Sequence, residues 1–412
     1  MVFHMSQESL SEEKYYLSNI IAFSLSWVLW SPITQATWVY FQLFLLELGA
    51  STVIVGYILS ISTFIIGFAR ILGGYLADHY GRRKIIIILT YVASGTYLLY
   101  SIAPDWRYIL LASIVMNIAL LYQPAIQAII ADSLPKEHRG LGYAVINILP
   151  SFTAMFAPYI ALYMVSKFGL VAGMRILYFL AFVMGTIVGT IRLFMLKETL
   201  HVKHRRIHNS DILKHLKLSY RHAFQFLIRN LKPLVVLYIL INTALGISIL
   251  TQIYAVKYLG LTKEDWGWIT FIGGITYFIT SLPLGYLSDR IGRKKPISAS
   301  IILSIISLYF YVTANLENAY MYILIASILG NLAWAISSSS FPALEADVIP
   351  HEFRGRLAAL LALASSVAFG IGQLLSGYMY EIFSPRAPFM IALFVWGLSL
   401  IPLIWLREIK GK

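Results

Sequence analysis

Twelve runs of apolar residues, each about long enough to cross a bilayer, fix what this chain can fold into. They fall at Ser18–Leu46, Thr52–Leu76, Ile85–Ala103, Tyr108–Ile130, Leu141–Val165 and Met174–Leu196, then at Pro233–Val256, Trp266–Leu287, Ile297–Ala314, Tyr320–Leu344, Leu357–Tyr380 and Pro388–Leu406. A spanning helix needs about 20 such residues, and in lipid a helix satisfies its own peptide groups. Of the residues, 59% are hydrophobic and 12% charged, whereas a soluble domain is about a quarter charged. No water-soluble fold hides that much apolar surface. The sequence predicts an all-α membrane protein of twelve transmembrane helices.

Charge sets the orientation. Arg82, Arg83, Lys84, Lys136, Arg139, Arg290, Arg293, Lys294, Lys295, Arg354 and Arg356 fall in loops on one side. The other side holds only Arg107, Lys167, Arg175, Lys257, Lys263 and Arg386. Basic loops stay cytoplasmic, so both termini are expected inside a cell membrane, with residues 1–17 and 407–412 as cytoplasmic tails. The polar, mixed-charge start lacks the pattern of a cleaved signal, so the first run is read as a retained helix. The net charge of +13 then reflects contact with anionic lipid heads, not nucleic acid. Cysteine is absent, which removes disulfides and thiolate metal sites. Residues 197–232 form one long basic segment with His201, His204, His208, His215 and His222. Irregular spacing and neighbouring positive charge favour a solvated, partly helical linker over a metal site.

The chain repeats itself. Gly74, Asp78, Gly81, Arg82, Arg83 and Lys84 close the second run, and Gly285, Asp289, Gly292, Arg293, Lys294 and Lys295 close the eighth, 211 residues later. Asp132, Arg139 and Gly140 follow the fourth run; Asp347, Arg354 and Gly355 follow the tenth, 215 residues on. Leu196, Lys197 and Glu198 end the sixth as Leu406, Arg407 and Glu408 end the twelfth, 210 residues on. Matches at nearly one spacing, each at the same point of a six-helix set, mark a duplication with parallel halves. The expected bodies are pseudosymmetric six-helix bundles, 18–196 and 233–406.

The Gly74–Lys84 segment and its second copy resemble the signature loop of the major facilitator superfamily, and the resemblance covers the chain apart from the N-terminal tail and the linker. It implies a carrier that moves a small-molecule solute by alternating access, as a monomer and without a cofactor. It also implies that Asp78 meets the amides at the start of the eleventh helix, after Arg354 and Gly355. By pseudosymmetry Asp289 meets the start of the fifth, after Arg139 and Gly140. Helix N-termini attract carboxylates.

In that family the first, fourth, seventh and tenth helices line a central cavity. Their polar and aromatic residues Gln35, Trp38, Asn117, Asn242, Asn331 and Trp334 are therefore the expected solute contacts, with Asn331 lying 214 residues after Asn117. Trp27, Ser31, Gln35, Trp38 and Gln42 share one helical face, as do Asn331, Trp334, Ser338 and Pro342. Interhelical hydrogen bonding is the competing role for these amides and for Gln252 and Gln373. Pro124 and Pro342 are expected to bend their helices.

No Asp, Glu, His or Lys falls at mid-depth; Glu47 and Glu345 sit at run ends, and Arg70 and Arg192 in the cytoplasmic thirds, where long side chains snorkel. A neutral or amphiphilic solute follows. Proton-coupled drug efflux and an organic-anion carrier stay open, as do, more remotely, a channel or a non-transporting sensor. Motifs of a metalloprotease, a serine-hydrolase elbow and a phosphate loop are absent, so no enzyme activity is expected. On this reading Asp78→Asn should leave expression intact and cut solute flux in vesicles, and wild-type flux in that variant would refute the gate contact.

Overall fold

A computed structural model describes residues 7–134, 139–200, 221–350 and 354–405, and among them every regular element is helical. Twelve helices are long and apolar enough to cross a membrane. They are Leu17–Val39, Thr52–Ala69, Arg82–Ile102, Trp106–Ser133, Ile148–Phe168 and Leu170–Met195, then Lys232–Tyr258, Lys263–Ser288, Lys294–Thr313, Ala319–Val348, Gly355–Ile382 and Ala387–Trp405. These are called the first to twelfth spans below. The molecule turns apolar bulk outward: Phe194 and Phe383 are each 76% exposed and Ile404 71%. That surface is stable only with lipid as its solvent.

Proline acts unequally. At Pro124 the fourth span breaks into Trp106–Ala119, a 3-10 turn over Leu120–Tyr122 and Gln123–Ser133, with the proline in the first turn of the last piece. There its missing N–H leaves no bond unmade. Pro342, by contrast, lies inside an unbroken helix from Ala319 to Val348.

Two compact units emerge from the packing. One comprises residues 1–40 and 68–205; the other comprises 41–67 and 206–412. Packing therefore departs from the chain order of the repeat, because the stretch 41–67 joins the C-terminal unit. Small residues and a carboxylate hold it there. A Cβ on Gly56 would stand 2.6 Å from the Gln373 carbonyl oxygen, and one on Gly377 2.7 Å from that of Thr52. Thr52 Oγ1 (2.7 Å) and the Val53 amide (3.3 Å) donate to Glu381, which caps the start of the second span. Gln252 accepts from the Leu43 amide at 2.9 Å, and Gln373 from Thr63 at 2.8 Å. These two glutamines are interhelical ties.

The seventh and eleventh spans approach backbone to backbone, since a Cβ on Gly372 would lie 2.5 Å from the Thr243 carbonyl oxygen. With lipid outside, van der Waals contact of this kind replaces the hydrophobic effect between helices.

The duplication reaches individual side chains. Arg175 donates to the Ala103 carbonyl at 2.9 Å, and Arg386, 211 residues later, donates to that of Ala314 at 2.7 Å. Each closes the C-terminal end of its half's third helix, where cations are favoured. Tyr100 stacks on Tyr178 with centroids 5.0 Å apart, and their counterparts Tyr311 and Phe389 stack at 5.3 Å.

Gly372→Ala should cost about 1–3 kcal/mol by overpacking, read as a lower Tm in detergent. Gly95→Ala, where a Cβ meets nothing within 4 Å, should leave Tm in place.

Candidate functional site

The duplicated loops come first. Gly81 and Gly292 have φ of 90° and 86°, a region open to glycine, and each precedes the third helix of its half. Arg82 bonds Asp132, and Arg293 Nε bonds Asp347 at 3.1 Å. The two loop segments paired by sequence thus meet within each half. Glu198 accepts from the Arg83 amide at 2.9 Å, while the Arg83 guanidinium donates to the carbonyls of Leu196 and Leu193, both at 2.7 Å. The repeated segment that ends the sixth span is therefore a cap for the third. Lys294 reaches the Ile404 carbonyl at 3.3 Å. The side chains of Asp78, Asp289, Arg139 and Arg354, and the surroundings of Gly74 and Gly140, lie outside the described set. Gly355 is exposed, with nothing near its missing Cβ.

A cavity of about 630 Å³ opens in the C-terminal unit, among the seventh to tenth spans and Trp396 of the twelfth. Asn242, Asn331 and Trp334 line it. Each asparagine donates to the carbonyl four residues back, at 2.8 Å, so its side-chain oxygen is left for a ligand. Gly273 makes room: a Cβ there would stand 2.6 Å from both Asn331 Nδ2 and Ser327 Oγ. Trp266, Tyr238 and Phe341 supply aromatic faces. Among the described lining residues none is charged.

The tenth span presents Asn331, Trp334, Ser337 and Phe341 to this space; Ser338 and Pro342 do not line it. Ser304, Ser307 and Tyr311 of the ninth span do. That ninth-span contribution was not expected, although Ser300, Ser304, Ser307 and Tyr311 recur at helical spacing and trace one face.

Gln35, Trp38 and Asn117 belong to the other unit. Asn117 donates to the Ser113 carbonyl at 2.7 Å, the same bond that Asn331 makes with Ser327. Gln35 is exposed, and Trp38 is 57% exposed. No group of three or more metal-ligating side chains occurs among the described residues.

The Major Facilitator Superfamily profile matches residues 16–262 and 234–412. The chain belongs to this superfamily. An MFS-type transporter of Methanocaldococcus jannaschii is 24% identical over 356 residues, covering 84% of this chain and 83% of the relative. Multidrug resistance protein 2 of Bacillus subtilis is 22% identical over 344 residues, covering 81% of each. The crystal structure of a D-xylose-proton symporter superposes with a TM-score of 0.73 at 16% identity, over 97% of this chain and 99% of that one. The protein is thus a multi-pass membrane transporter of the major facilitator fold.

One charge in this major facilitator departs from the snorkelling expected of it. Arg192 is 1% exposed. Nε bonds Ser26 at 3.3 Å, a guanidinium nitrogen bonds Thr90 at 2.7 Å, and the rings of Phe23 and Tyr122 lie 5.8 and 5.7 Å from its centre. Helices of the same unit enclose it on the sides a snorkelling chain would need open. No carboxylate pairs with it among the described residues. The second copy is apolar at this level, with Pro402 and Leu403 buried.

Both hydroxyls donate to their own helices, to the carbonyls of Ala22 and Ile86, so removing the guanidinium orphans no donor. Arg192→Leu should therefore hold or raise Tm, as apolar replacement of buried charge often does. A fall of about 5 °C or more, on the scale of roughly 1–2 kcal/mol, would show that the charge has a stabilising partner.

Proposed function

We propose that this transporter carries a small, largely apolar solute bearing hydrogen-bonding groups and no net negative charge, and that the cavity of the C-terminal unit recognises it. The carrying observation is the cavity itself. Its volume of about 630 Å³ falls in the range of small-molecule pockets, about 300–1,000 Å³. Aromatic faces on Trp266, Trp334 and Phe341 fit a flat apolar body, and the oxygens of Asn242 and Asn331 fit its polar groups. An organic anion would shed its water here without a cation among the described lining residues to receive it, which weighs against an anion carrier. The likeness to the Bacillus subtilis multidrug resistance protein supports export of amphiphiles over sugar uptake.

The remaining architecture is proposed on the same footing. Basic loops support a plasma-membrane protein with both termini in the cytoplasm, and the superfamily membership supports a monomer. The six-helix sets 18–196 and 233–406 are the moving bodies, so the ties from residues 52–63 to Gln373, Gly377 and Glu381 part as they move. Asp78 and Asp289 latch their cytoplasmic ends, while the Arg82–Asp132 and Arg293–Asp347 pairs hold each loop in shape for that contact. In this scheme Gln35, Trp38 and Asn117 are the first half's contribution to the solute path.

Calorimetry with 2-naphthylmethanol, a neutral aromatic amphiphile, tests the cavity. Trp334→Ala and Asn331→Leu should each weaken binding about tenfold, the worth of one lost hydrogen bond or ring contact, with Tm unchanged. Wild-type affinity in both variants would overturn the assignment.

A further inference from the structure

The cavity has a chemical polarity that its neutral lining hides. Five of its hydroxyls, on Ser248, Thr270, Ser304, Ser307 and Ser327, donate to main-chain carbonyls. Asn242 and Asn331 each spend an amide hydrogen the same way. A hydroxyl has one hydrogen and two lone pairs, so each of the five turns only acceptor capacity toward a ligand. The hydroxyls of Thr251, Tyr311 and Ser337 make no hydrogen bond among the described residues and keep both, and the indoles of Trp334 and Trp396 each add one N–H donor. The balance is tilted toward accepting.

Charge tilts it further. Tyr238, which lines the cavity, donates its hydroxyl to Glu345. Glu345 is half-buried one turn before the cytoplasmic end of the tenth span, and it has no cationic partner among the described residues. Phe341, one turn before it, sets its ring edge-on to Tyr238 with centroids 5.4 Å apart. The carboxylate therefore stands behind an aromatic rim at one end of the cavity, a single hydroxyl away from a bound solute.

The duplication shows that packing does not require an acid there. Glu345 lies two residues before Asp347, and the residue two before Asp132 is Ile130, which is 1% exposed. The first half keeps an isoleucine at the corresponding place, and the acid stands only in the half that carries this cavity.

Resting on the proposed solute cavity, we infer that its preferred solutes are organic cations with N–H donors, such as protonated amines on an aromatic body, and that Glu345 is the residue that selects for their charge, acting by its own negative charge from behind Tyr238. A cation gains from the aromatic faces as well, whereas a carboxylate meets lone pairs and a like charge. No bond is made or broken in this recognition.

The test uses three compounds of one shape, namely 2-naphthylmethylamine (protonated at pH 7), 2-naphthylmethanol and 2-naphthoate, titrated calorimetrically into the purified full-length protein. The wild type should bind the ammonium about tenfold or more tightly than the alcohol, the scale of a charge-assisted hydrogen bond, and the naphthoate most weakly. Glu345→Gln should erase the ammonium-over-alcohol preference and leave alcohol affinity as it was, while Tyr238→Phe, which keeps the charge, should retain the preference. Equal wild-type affinities for ammonium and alcohol, naphthoate as the best ligand, or a preference that survives Glu345→Gln would each overturn the inference. Alcohol binding that is lost in Trp334→Ala, without any ammonium preference, would sink the cation selectivity alone and keep the cavity. Absence of binding by all three compounds in the wild type would overturn both.

Discussion

In a bilayer a polar hydrogen has nowhere to go but the protein, and this constraint shapes the molecule from its helices to its cavity. Peptide groups close within each helix. Ser and Thr side chains do likewise: Ser26, Thr90, Thr186 and Ser304 all donate to the carbonyl four residues back. The asparagines at 117, 242 and 331 follow the same rule. What such residues offer outward is therefore oxygen lone pairs. An inventory of residue types reads this lining as neutral, while an inventory of hydrogens reads it as accepting.

Duplication supplies a second way of separating structure from function. Where both copies keep a contact, as with the arginine caps at 175 and 386 or the stacked rings at 100/178 and 311/389, one six-helix unit needs it to hold together. Where the copies differ, packing alone does not explain the residue. Arg192 against Pro402 and Leu403, and Glu345 against Ile130, are such departures. Each puts an ionisable group where the other half manages with an apolar one, and polar groups at such depth are costly.

Small residues decide which helices meet. Gly56, Gly246, Gly372 and Gly377 allow main chain to touch main chain, Gly246 and Gly372 between the seventh and eleventh spans, Gly56 and Gly377 where residues 41–67 join the C-terminal unit. Glu381 then caps the start of the second span from the eleventh. These contacts cross the boundary that the repeat draws along the chain. A duplicated sequence fixes the path of two similar halves, whereas the fit of facing surfaces fixes what packs with what.

The spans were legible because hydropathy over about 20 residues is a local property, and the loops because their glycines and charges recur at one offset. Arg82 with Asp132 and Arg293 with Asp347 could be paired as segments for the same reason, though not as bonded atoms. Asn242, Asn331 and Trp334 stood out because polar groups are rare in apolar helices. The ninth-span serines escaped notice because serine in a helix reads the same whether it bonds its own carbonyl or borders a cavity. Whether Arg192 reached the surface, and whether Glu345 met the hydroxyl of Tyr238, depended on which helices surround them. Sequence by itself determined twelve helices and their duplication. Tertiary structure alone decided burial, partner and which hydrogens remain free, because those depend on neighbours a hundred or more residues away along the chain.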